Sequence, residues 1–142
     1  MSYTIEFSVP GIPIPQGSKN AWGGEDNPHT KSWRETVARA AHGVVEDGPL
    51  LGPVGVSVVF VFPRPKGHYR TGRYADWLKD SAPSWHTGRP DLDKLQRAIG
   101  DALSGIVLRD DSQIAAWRVS KRYGTQPRAD IVVTRLDEDD VL

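Results

Sequence analysis

The chain has 142 residues and a mass of 15.7 kDa, one domain's worth, and no cysteine, which excludes disulfides, thiolate metal sites and cysteine nucleophiles. Basic and acidic residues balance at 18 each, but Asp137, Glu138, Asp139 and Asp140 crowd the last six positions. Setting those four aside leaves 18 basic against 14 acidic residues, a net of +4, so the body is mildly basic and permits a polyanion partner without requiring one. No apolar run approaches the ~18–20 residues of a membrane span. The opening MSYTIEFSVPG lacks the basic-then-apolar pattern of a secretory signal.

In chain order, residues 3–9 (YTIEFSV) alternate and are rich in β formers, which predicts a first strand. A long loop follows, punctuated by Pro10, Pro13, Pro15, Gly17, Gly23, Gly24 and Pro28. Ser32 and Glu35 have capping-box spacing, and Trp33, Val37, Ala40, Ala41, Val44 and Val45 recur at helical spacing until Gly48-Pro49 stops the pattern. Residues 54–62 (VGVSVVFVF) read as a strand apolar on both faces, hence central in its sheet.

Residues 63–90 form a second irregular stretch, basic and aromatic. A second helix is expected from Asp93 to about Leu103, with Leu92, Leu95, Ile99 and Leu103 on one side and Asp93 with Gln96 as a second capping box. A short strand at 106–109 and two further strands at 112–122 and 128–136, joined by a turn at 123–127, complete the order β-α-β-α-β-β. The expectation is a single small α+β domain over 1–136, a mixed sheet with two helices packed on it. Residues 137–142 are an acidic tail expected to be disordered.

The segment Arg89-Pro90-Asp91-Leu92-Asp93-Lys94-Leu95-Gln96-Arg97 carries the most chemistry. In an extended chain Asp91 and Asp93 project to the same side, and two adjacent carboxylates call for a cation. Hard oxygen donors suit Mg²⁺, or Mn²⁺. Asp110-Asp111 precedes a predicted strand, and Asp111 completes the site if that strand lies beside Asp91. Three carboxylates at one point suit metal-assisted phosphodiester hydrolysis. Arg97, one turn after Asp93, either stabilises the transition state or pairs with Asp93; Asp101 faces solvent or pairs with Arg97. Taken singly, each of these residues also reads as a cap, a turn or a surface ion pair.

The series His86-Thr87-Gly88-Arg89-Pro90-Asp91-Leu92-Asp93, then Asp101-Ala102-Leu103, then Asp110-Asp111-Ser112-Gln113-Ile114, then Lys121, resembles the RusA family of Holliday junction resolvases, encoded largely by phages and prophages. The opening VPGIPIPQGSKN adds to the likeness, which runs from about Tyr3 to Leu136. The resemblance implies a homodimeric endonuclease, dependent on Mg²⁺ (Mn²⁺ in its place) and on no organic cofactor. It implies nicking of opposed strands at four-way DNA junctions in recombination and repair.

By that similarity Asp91, Asp93 and Asp111 bind the metal, with Asp110 beside the last. The family usually carries Asn where Lys94 stands and a catalytic Lys where Arg97 stands. Arginine keeps the charge but does not release a proton, which leaves electrostatic stabilisation. Lys19, Arg64, Lys66, Arg70, Arg73, His86, Arg89 and Lys94 are candidate phosphate contacts, and Lys121 is grouped with them. The interleaved Tyr69, Tyr74, Trp77 and Trp85 are candidates for stacking on unpaired bases. Trp117 and Val119 are candidate dimer surface. Two other readings stay open: a catalytically impaired, structure-specific DNA-binding protein, and a broader nuclease of branched DNA. The expected location is the cytoplasm of a bacterial host, with no membrane partner.

Overall fold

The computed structural model describes residues 3–17 and 29–139. In chain order it contains β1 (Thr4–Pro10), α1 (His29–His42), β2 (Val54–Phe62), α2 (Leu92–Leu103), β3 (Ile114–Tyr123) and β4 (Arg128–Arg135). The four strands form one mixed sheet in the order β1-β4-β2-β3. β4 runs antiparallel to both β1 and β2, whereas β2 and β3 are parallel. The small α+β domain with two helices, a mixed sheet and the order β-α-β-α-β-β is therefore what forms. No helix among the described residues is long and apolar enough to cross a membrane.

Alternation decides which sheet face is covered. Ile5, Phe7 and Val9 of β1, Val54, Val56, Val58 and Phe60 of β2, and Ala129, Ile131 and Val133 of β4 share one face and are buried. Against them pack Trp33, Val37 and Ala41 of α1 and Leu95, Ala98, Ile99, Ala102 and Leu103 of α2. β2 is central, as its two apolar faces require.

Several boundaries differ from expectation. α1 begins at His29, so Ser32 lies inside the helix rather than at its cap. The buried Thr30 hydroxyl donates to the Pro15 carbonyl at 2.9 Å, a tertiary anchor in the first turn of the helix. The helix ends at His42; Val45 still packs on the core, but Val44 is exposed. Residues 106–109 form no strand; Leu108 makes only isolated bridges to Leu50 and Ser104. Residues 111–113 are a 3-10 turn, and β3 starts after it. Trp117 and Val119, candidates for dimer surface, are half-buried and pack against the core from the inner face of β3. The end of the acidic tail, residues 140–142, lies outside the described residues.

β3 and β4 are consecutive but not paired, because β2 lies between them. Residues 124–127 must hop across the end of β2. Gly124 makes the crossing, its N–H donating to the Phe62 carbonyl at 2.9 Å. A Cβ at Gly124 would lie 2.6 Å from Val61 Cγ1, and Val61 is buried and stiff at χ1. Gly124→Ala should therefore cost about 1–3 kcal/mol through overpacking, read as a lower denaturation midpoint. An unchanged midpoint would show that the crossing yields freely.

Candidate active site

The N-terminus of α2 sets the first carboxylates. Asp91 occupies its N-cap with extended backbone (φ −69°, ψ 141°), and the Asp91 carbonyl accepts from Leu95 N–H at 3.2 Å. The helix thus starts one residue before the Asp93–Gln96 box anticipated from the sequence, and Asp93 lies in its first turn. Leu92 and Asp93 are helical, so the two-residue alternation that would aim Asp91 and Asp93 together does not apply. The Asp91 side chain makes no capping hydrogen bond. It is 60% exposed and approaches Lys94 Nζ at 4.0 Å, an electrostatic contact rather than a hydrogen bond. The capping box expected of Asp93 with Gln96 does not form, because Asp91 rather than Asp93 holds the N-cap position.

The second acidic pair divides its labour. Asp110 is the true cap: its carboxylate accepts from Ser112 N–H at 3.0 Å, and hydrogen bonding by Ser112 holds its carboxyl below the usual range. Gln113, which the sequence offers only as part of the Asp110–Ile114 motif and without a role, closes the box. Its Oε1 accepts from the N–H groups of Arg109 (2.8 Å) and Asp110 (3.1 Å), while Nε2 donates to the carbonyls of Leu50 (2.9 Å) and Gly52 (2.8 Å). This clamp fixes the turn before β3, and among the described residues the Asp111 carboxylate is uncommitted.

Asp111 lies against the third turn of α2: its Cβ is 3.9 Å from where a Cβ on Gly100 would sit. It lines a cleft of about 370 Å³ together with Gln96, Arg97, Asp101 and Trp117. Arg97 makes no ion pair with Asp93 among the described residues. Asp101 pairs with Arg34 of α1 at 3.9 Å. A second, neighbouring cleft of about 570 Å³ is lined by Asp91, Lys94, Arg89, Phe62 and the Ile12–Gly17 segment. Gln16 stands on the wall common to both clefts. It is buried, donates its N–H to the Lys94 carbonyl at 2.9 Å and accepts from Arg34 at 2.9 Å. Neither Gln16 nor Arg34 announces itself by residue type; Gln16 was legible only as part of the PIPQGSKN phrase.

Among the described residues no three His, Asp or Glu side chains form a group able to hold a metal ion. The donors nevertheless fit a hard divalent cation in kind. Mg²⁺ keeps several waters and is usually held by one or two carboxylates plus substrate phosphate oxygens rather than by an all-protein cage.

Three of the six lysines and arginines in 63–90 bond within the loop itself. Arg64 donates to the Pro83 carbonyl at 2.6 Å and lies over the Tyr123 ring at 4.8 Å. Arg70 donates to the Leu78 carbonyl and to Asp80, both at 3.2 Å, and Arg73 to the Tyr74 hydroxyl at 2.9 Å. Lys121 donates to the carbonyls of Gly88 and Pro90. Lys66 and Arg89 are exposed, and Lys19 lies outside the described residues. Trp77 and Trp85 are 62% and 61% exposed, with Tyr74 edge-on to Trp77 at 5.6 Å.

His86 stacks on Tyr123 at 4.8 Å and meets Phe62 edge-on at 4.8 Å, and its Nδ1 is buried without a partner among the described residues. Burial, and then the Lys121 charge, push the imidazole below its ordinary 6.5. A depressed histidine contributes stability above its unfolded value that is lost as pH falls through the folded one. Unfolding free energy should therefore drop as pH falls below the ordinary 6.5, and more steeply in wild type than in His86→Gln. Equal slopes in denaturant titrations would contradict this.

Residues 10–134 match the family described as Endodeoxyribonuclease RusA. The chain belongs to that family of nucleases. It is also similar to the uncharacterized protein YqaN of Bacillus subtilis (strain 168), 27% identical over 135 residues that cover 91% of this chain and 94% of the other.

Proposed function

We propose that this protein is a Mg²⁺-dependent endonuclease that resolves four-way DNA junctions by paired nicks in opposed strands, acting as a homodimer in the cytoplasm of a bacterial host. The single observation that carries the reading is the division of labour at Asp110 and Asp111. One carboxylate caps the turn, and the other is delivered uncommitted into a cleft that also holds Arg97. An ion pair serving stability alone needs no such arrangement.

Asp91, Asp93 and Asp111 are the residues that would hold the cation. When bound, it supplies positive charge against the phosphoryl oxygens. The chain's own residues do the rest. Arg97, charged at every working pH, stabilises the charge that builds on the nonbridging oxygens as water adds to phosphorus and the P–O3′ or P–O5′ bond breaks. Lys66, Arg89 and Lys94 hold the flanking phosphates, and the exposed faces of Tyr74, Trp77 and Trp85 offer stacking surface for bases unpaired at the branch point. Two copies match the two-fold symmetry of the junction and place one site on each of two opposed strands.

One observation favours a catalytically impaired junction-binding protein instead: the absence, among the described residues, of a three-carboxylate group. Cleavage of a synthetic four-way junction in Mg²⁺, beside a fork, a flap and a linear duplex of the same sequence, separates the readings. Junction-selective cutting supports resolution. Binding without cutting supports the impaired protein, and cutting of forks and flaps at equal rates supports a broader branched-DNA nuclease.

A further inference from the structure

The inner face of β3 reads Trp117, Val119, Lys121 and Tyr123, in register with Val56, Val58, Phe60 and Phe62 of β2. Three of these four positions suit a covered face: Trp117 and Val119 pack on the core, and Tyr123 receives His86 and Arg64. Lys121 is the charged exception. Its ammonium is spent inside the protein, donating to the Gly88 carbonyl at 2.6 Å and the Pro90 carbonyl at 2.9 Å. Those carbonyls bracket Arg89-Pro90, and the second belongs to the residue immediately before Asp91. Proline at 90 donates no N–H, so this stretch has few backbone bonds of its own to fix it.

We propose that Lys121 is a positioning residue for Asp91 rather than a contact to DNA. It ties the segment that delivers Asp91 to the rigid sheet, so that the carboxylate enters its cleft in one place. A charged donor is suited to the task, because a single ammonium bonds two carbonyls at once and such bonds are stronger than neutral ones. The alternative role, a phosphate contact, would need the same ammonium to leave both carbonyls. The inference rests on Asp91 being a metal ligand, as proposed above.

The test compares wild type with Lys121→Met, which removes donor and charge, and Lys121→Gln, which keeps a donor and removes the charge. Three quantities are read: Mn²⁺ affinity of the free protein by electron paramagnetic resonance, Mg²⁺ midpoint for junction cleavage, and junction affinity without metal as a function of salt. Positioning predicts that Lys121→Met weakens Mn²⁺ binding and raises the Mg²⁺ midpoint, each about tenfold or more, the scale for losing a group that orients a metal ligand. Lys121→Gln should fall between Met and wild type, and junction affinity and its salt dependence should stay at wild-type values in both. A phosphate contact predicts the reverse: metal affinity unchanged, junction affinity reduced equally by Met and Gln, and a salt slope smaller by about 0.9. That result, or no change in any of the three, overturns the proposal. If Lys121→Met does not fold, Lys121→Gln alone still separates the two outcomes. Wild-type cleavage that needs no metal would instead overturn the functional reading on which the proposal stands.

Discussion

Asp91→Asn and Asp93→Asn are each expected to abolish junction cleavage while leaving junction binding intact or slightly tighter. The fold should barely register either change. Asp91 makes no capping bond that asparagine would lose, and its contact with Lys94 at 4.0 Å is an exposed pair worth about 0–1 kcal/mol. Asp93 contributes only the interaction of its charge with the first turn of α2, about 0.3–1 kcal/mol. What both lose is a full negative charge on a hard oxygen donor, and an amide is a poor substitute for a carboxylate toward Mg²⁺. Removing that charge also eases the approach of a phosphate. Single-turnover cleavage and gel-shift affinity, measured on the same preparations, check both halves. Retained cleavage in Asp91→Asn would remove it from the metal-binding set; lost binding would mean that the carboxylates organise the DNA surface rather than the chemistry.

Arg97→Ala should lower the single-turnover rate by about 10²–10³, the scale for removing one preorganised electrostatic contact. The structure sharpens this expectation. A surface pair with Asp93 was the competing role, and among the described residues that pair does not form. Arg97 instead lines the cleft that holds Asp111. Arg97→Lys should retain much of the rate, since it keeps the charge the RusA pattern places there. Arginine does not deliver a proton to the leaving oxygen, so its contribution is electrostatic. A near-wild-type rate for Arg97→Ala with saturating enzyme would strike it from the mechanism.

Much of this architecture was legible because local signals and global packing agree. VGVSVVFVF, apolar on both faces, can only be a covered central strand, and the Leu92, Leu95, Ile99 and Leu103 stripe can only be a helix facing a sheet. What escaped the sequence was set by tertiary contact. The first turn of α1 carries a bond from Thr30 to the distant Pro15 carbonyl, which no capping rule contains. The non-pairing of β3 with β4 follows from β2 lying between them, and only the close approach at Gly124 marks the crossing.

At the site, residue type identified the carboxylates but not their duties. The sequence singles out Asp111 over Asp110 but not the reason: one caps and one faces the cleft, with the turn held by Gln113 reaching across to the carbonyls of Leu50 and Gly52. The basic stretch hid its local bonds in a similar way. Arg64, Arg70 and Arg73 have the composition of a phosphate-binding surface, but each bonds to its own loop. Charge pattern alone does not show where a long side chain folds back.

Paired nicking at a branch is most directly tested with a supercoiled plasmid that extrudes a cruciform. Two cuts on opposed strands within one binding event convert the supercoiled circle straight to a linear product with ends at the cruciform base. Linear product appearing without prior accumulation of nicked circle, in Mg²⁺ and not in EDTA, and absent from a plasmid lacking the inverted repeat, is the expected result. Nicked circle as the only product, or cutting that ignores the cruciform, would contradict junction resolution by this protein.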